Sequence, residues 1–148
     1  MSLKETINND IKTAMKAKDK ETLAVLRMIK TAVQAAEIDK KEELNAEEEL
    51  TILAREAKQR RESLAEFVKA GRDELVAKTE AEIEIVERYL PKQLSVEEVK
   101  EVIATVAEKI GATTQKEFGK LMGAVMQALK GQADGNVIKE QVKAHLNK

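Results

Sequence analysis

Residues Lys116–Ile138 read KEFGKLMGAVMQALKGQADGNVI, and this stretch decides the fold. Phe118, Leu121, Met122, Val125, Met126 and Leu129 recur at i, i+3, i+4, i+7, i+8 and i+11, one apolar stripe along a helix. Gly131 follows the last apolar residue, where a left-handed closing residue is usually glycine. Asp134 then offers an N-cap for a last helix carrying Val137, Ile138, Val142 and Leu146. Gly119 and Gly123 do not fit a plain core helix. They stand one turn apart and align with Lys116, Lys120 and Lys130 near the polar edge. Each helical glycine costs ~1 kcal/mol relative to alanine. Two readings account for that cost: a second helix packs closely on the bare backbone, or a ligand does.

Outward from this stretch the whole chain reads helical. Ser2 with Glu5, Asn45 with Glu48 and Ser95 with Glu98 have capping-box spacing and open three helices. The first ends at Ala17–Asp19. A second runs from about Lys20 to Glu37 with Leu23, Leu26, Ile29, Val33 and Ala36 inward, followed by a charged connection over Ile38–Leu44. The third extends to about Ala70 and closes at Gly71, and a fourth covers about Asp73 to Tyr89 with Leu75, Val76, Thr79, Ile83 and Val86 inward. Pro91 stops it, because a proline pushes the preceding residue out of helical space. Pro91–Leu94 is the expected linker. The expected fold is all-α: a four-helix domain over 1–92 and a three-helix tail domain over 95–148.

Two features of the first domain allow more than one reading. Arg60 falls on the seam of the third helix, beside Lys58 and Arg61. The plain expectation is a packed stem with its head in water; the other is a buried guanidinium that organises a partner or an anion. Glu80, Glu82, Glu84 and Glu87 point around the fourth helix without converging, so a solvated face is expected.

Composition excludes several kinds of chemistry. With no cysteine, no disulfide, zinc–thiolate site or thiol nucleophile is possible. The one histidine, His145, has no partner for base catalysis, and the serines lack a His–Asp arrangement. The glycines follow no strand, so there is no phosphate-binding glycine loop. No catalytic residue, metal site or cofactor is expected. No apolar run approaches membrane-spanning length and no secretory signal pattern opens the chain, so a cytoplasmic protein without membrane contact is expected. The net charge of −1 is uneven: residues 109–148 carry seven lysines against three acids. A basic tail on an acidic body suggests a polyanion contact, although a lysine-rich helical surface is also ordinary solvated surface. Phe67, Tyr89 and Phe118 are the only aromatics, too few for base stacking, so a nucleic-acid contact would be to backbone and shape, and no DNA binding is expected.

ERYLPKQLS at Glu87–Ser95 and FGKLMGAVMQALKGQADGNVIKEQV at Phe118–Val142 resemble the YqeY family, as do LRMIKTAV at Leu26–Val33 and EAKQRRESLAEFVKAGRDEL at Glu56–Leu75. That family is related to the C-terminal portion of the B subunit of the glutamine-dependent aminoacyl-tRNA amidotransferase, a carbon–nitrogen ligase with glutamine as amido donor. The resemblance implies helical and tail domains without the amidotransferase's catalytic domain, and hence a tRNA-binding accessory module of translation that is not itself an enzyme. On this chain the implied tRNA-binding residues are Lys116, Gly119, Lys120, Gly123, Lys130, Gly131, Gly135 and Lys139. Glycine backbone allows close approach to sugar–phosphate, and lysines neutralise phosphate without reading bases. The alternative is a protein-interaction module docking on an aminoacyl-tRNA synthetase or amidotransferase through Lys58, Arg60 and Arg61.

Overall fold

The structure is a computed structural model that describes residues 2–147. It is all-α among the described residues: α1 (Leu3–Lys16), α2 (Lys20–Lys40), α3 (Ala46–Lys69), α4 (Asp73–Glu87), α5 (Val96–Ile110), a short 3-10 turn (Gln115–Glu117), α6 (Phe118–Ala128) and α7 (Gly135–Leu146). The chain divides into two compact units, 1–91 and 92–148.

Local chemistry sets the helix ends. Asn45 and Ser95 accept hydrogen bonds from the backbone N–H of Glu48 and Glu98, whose carboxylates bond back, closing both capping boxes. At Ser2 the structure shows the first half of the box, the hydroxyl accepting from Glu5 N at 3.2 Å. Gly71, Gly111 and Gly131 have positive φ, where glycine carries no Cβ penalty. One boundary differs from expectation. α2 continues to Lys40, because Lys41 adopts a left-handed conformation and donates its N–H to Glu37 O only there. Ile38 is therefore on the helix and not in the connection. α6 begins at Phe118, because Glu117 turns its carboxylate back onto the N–H groups of Thr113 and Thr114 and tightens the preceding residues into the 3-10 turn.

In the first unit α1–α4 share one core built from Ile7, Val25, Leu26, Ile29, Val33, Leu53, Ala57 and Val86. Ile85, not Ile83, is the second buried apolar residue of α4, because α4 packs against α2 as well as α3 and its inward face is wide. Leu3 N donates to Glu49 Oε2 (2.9 Å), and the Tyr89 hydroxyl donates to Asp10 Oδ2 (2.5 Å), which ties the end of the unit back to α1.

The second unit packs α5, α6 and α7 around Val99, Ile103, Leu121, Val125, Ile138 and Val142. Gln93 and Leu94, read from sequence as linker, bond within this unit: Gln93 Nε2 donates to Gly131 O (2.6 Å) and Leu94 N to Gln132 O (2.8 Å). These bonds hold the α6–α7 turn.

Candidate functional site

The glycines of the tail separate by their surroundings. Gly131 is required by the turn, at φ +78°. At Gly135 an added Cβ would lie 3.6 Å from Met126 Cε, an ordinary van der Waals contact, so packing does not demand a glycine there. At Gly119 and Gly123 an added Cβ meets nothing within 4 Å, and neither φ lies in the left-handed region. Close packing of another described helix of this unit is not their reason. Two residues that weaken α6 face open space.

Lys116, Gly119, Lys120 and Gly123 are exposed on one face; Gln127, four residues further on, is also exposed. Extending the period by one turn would have found Gln127 in the sequence. Lys130 is half-buried at the far end and makes a polar or charged contact of its own. At the near end the Glu117 carboxyl is held below the usual carboxylate range, chiefly by accepting the backbone N–H of Thr114 and Thr113. It stays an anion beside Lys120, so the face is not uniformly positive. On α7, Lys139 and Lys143 are exposed one turn apart. The amides at the start of α7 are not vacant: Asp134 Oδ1 accepts from Asn136 N at 2.7 Å.

The charge of this unit is concentrated. Residues 92–148 hold nine lysines and seven acids, but four of those acids, Glu97, Glu98, Glu101 and Glu108, lie on α5. Outside α5 the unit holds seven lysines against three acids; α6, α7 and the turn between them carry Lys120, Lys130, Lys139 and Lys143 against Asp134 and Glu140.

The arginine cluster behaves differently. Arg60 is 6% exposed and does not keep its head in water, as its seam position had suggested. Its Nη1 lies 3.2 Å from Glu56 Oε1 and also donates to Glu56 O, while its Nε lies 3.3 Å from Glu82 Oε1 without hydrogen-bond alignment. Arg61 Nη2 pairs with Glu87 Oε1 at 3.0 Å. Glu82 and Glu87 are therefore not part of a merely solvated face; they clamp α4 to α3. A lone seam arginine can be buried when carboxylates one turn away and on the facing helix neutralise it. Of the three candidates for partner docking, Lys58 alone is exposed. Among the described residues no group of three His, Cys, Asp or Glu could hold a metal ion, and no helix is long and apolar enough to cross a membrane.

The fold and this surface together define an all-α protein of two helical units, the second presenting a glycine–lysine helix face. The family model described as "Yqey-like protein" matches residues 4–146, nearly the whole chain, and the chain belongs to that family. Similar proteins include several named "Altered inheritance of mitochondria protein 41, mitochondrial". The one from Kluyveromyces lactis is 37% identical over 84 residues, covering 56% of this chain and 45% of that protein. The one from Pyrenophora tritici-repentis is 27% identical over 126 residues, covering 84% and 69%. The one from Saccharomyces cerevisiae is 28% identical over 126 residues, covering 80% and 68%. The chain thus spans about half the length of the first relative and about two thirds of the others. Their names correct the cytoplasmic expectation: relatives of this chain are mitochondrial proteins, and sequence composition had no means of excluding that compartment.

Proposed function

We propose that the second unit is a tRNA-binding accessory module that reads the outside of a folded RNA by shape and charge. The observation that carries this reading is the open backbone at Gly119 and Gly123 on the same exposed face as Lys116 and Lys120. A Cβ-free helix face lets sugar–phosphate approach the backbone, and flanking ammonium groups neutralise it without reading bases. The excess of lysines over acids in this unit outside α5 supports the same reading, as does the kinship with the amidotransferase B subunit tail that the resemblance implies. The docking alternative has less support, because Arg60 and Arg61 are engaged by carboxylates of their own unit.

The test is binding of total tRNA by the purified chain across a salt series, with Lys116→Glu/Lys120→Glu beside it. Backbone recognition predicts affinity that falls steeply with salt, and a shallower slope in the variant. Undetectable binding at low salt, or binding indifferent to both lysines, would overturn the reading.

A further inference from the structure

α2 carries two apolar seams on opposite faces. Leu26, Ile29, Val33 and Ala36 recur at alternating spacings of three and four and turn into the core. Ala24, Met28, Thr31, Ala35 and Ile38 recur at spacings of four, three, four and three, and all five are exposed. Met28 is 54% and Ile38 75% exposed. This average spacing of 3.5 is the one by which a helix seats along another helix. Among the described residues of the first unit no helix buries this seam, which α3 touches through Arg60 at Met28.

We propose that this seam is a self-association surface, on which two copies of the chain pair α2 antiparallel about a two-fold axis beside Thr31. The seam is complementary to its own reverse. Antiparallel pairing sets Met28 opposite Ala35 and Ile38 opposite Ala24, large against small, as interdigitation requires. Thr31 faces its own copy. Its hydroxyl already donates to Arg27 O (2.9 Å), so covering it strands no donor. Met28 is held in place by contact between its Sδ and Arg60 Nη2 (3.4 Å).

Charge sets the direction. Residues 16–30 hold five cations against two carboxylates; residues 34–43 hold four carboxylates against two lysines. Antiparallel pairing places each end against the opposite end of the other copy, whereas parallel pairing would set like against like. At the acidic end a shallow groove of about 470 Å³ is lined by Gln34, Glu37, Ile38, Glu42 and Glu43. Lys20 of the second copy falls at the level of Glu42, while Glu21 falls at the level of Lys41. The seam is ~21 Å long at 1.5 Å per residue. That lies at the low end of interface size, so the dimer is reversible and concentration-dependent.

The experiment uses the full chain. Sedimentation over a concentration series is expected to show mass rising from monomer to dimer, with weaker association at high salt. Ala35→Glu is expected to hold the chain monomeric with unchanged helical circular dichroism, because the position is exposed. The chain has no cysteine, so Thr31→Cys supplies a single thiol at the axis. It is expected to form a disulfide-linked dimer under mild oxidation much faster than the exposed control Lys100→Cys. A monomer at every concentration, with Thr31→Cys no faster than the control, overturns the proposal and leaves the seam to a different protein. A dimer that persists in Ala35→Glu overturns it too, since another face then makes the contact.

Discussion

Gly119 and Gly123 stand one helical turn apart on α6, and a Cβ built on either meets no atom within 4 Å. The tail therefore carries a destabilised helix with no compensating contact from the described residues of its own unit. Gly119→Ala and Gly123→Ala should each stabilise the second unit by about 0.5–1 kcal/mol. Denaturant unfolding followed by circular dichroism checks this. Destabilisation by either alanine would mean that the backbone there is held in a conformation alanine resists.

Arg60 sits between Glu56 on its own helix and Glu82 on α4. Arg60→Ala should cost about 2–4 kcal/mol, since it removes the packed stem and leaves two carboxylates without their cation. Arg60→Met keeps the stem, and both carboxylates retain some access to water, so it should cost clearly less. Equal losses in the two variants, measured by chemical denaturation, would show that charge alone accounts for the residue.

Tyr89 is the only tyrosine, and burial, reinforced by its bond to Asp10, pushes its phenol above the ordinary tyrosine range. A group whose folded pKa is raised contributes stability that is complete below the unfolded pKa of about 10 and is lost as pH rises through the folded value. Ultraviolet titration of the folded protein should therefore show a late ionisation, with stability declining above about pH 10. In Asp10→Asn the midpoint should fall only part of the way, because burial is the larger cause.

At the acid end, Glu98 is held below the usual carboxylate range, first by accepting the Ser95 backbone N–H, and Glu48 likewise by that of Asn45. A depressed folded pKa contributes stability above the unfolded value, lost as pH falls through the folded one. The window therefore lies below about pH 4.5. Glu98→Gln, which keeps a capping-box side chain, should retain much of the neutral-pH stability while its acid-unfolding limb becomes shallower. A limb identical to wild type would remove Glu98 from the account.

The all-α class and most helix ends were legible because local chemistry fixes them: capping boxes at Asn45 and Ser95, left-handed glycines at 71 and 131, and Pro91. Tertiary effects were not legible. Burial of Arg60 depends on Glu82, twenty-two residues away on another helix, which no local period reveals. The extension of α2 to Lys40 depends on a lysine adopting a left-handed conformation, which the residue type does not announce. At the candidate site the glycine–lysine pattern was visible in sequence, but whether a neighbour filled the space above Gly119 and Gly123 was a question only packing could answer.

The measurement that bears most directly on the central claim is tRNA affinity of the Gly119→Ala/Gly123→Ala chain against wild type at one low salt concentration, with stability measured in parallel. The account predicts a more stable tail that binds at least about tenfold more weakly, a loss of about 1.4 kcal/mol. Unchanged affinity in the stabilised variant would contradict it, because the open backbone would then have no part in binding.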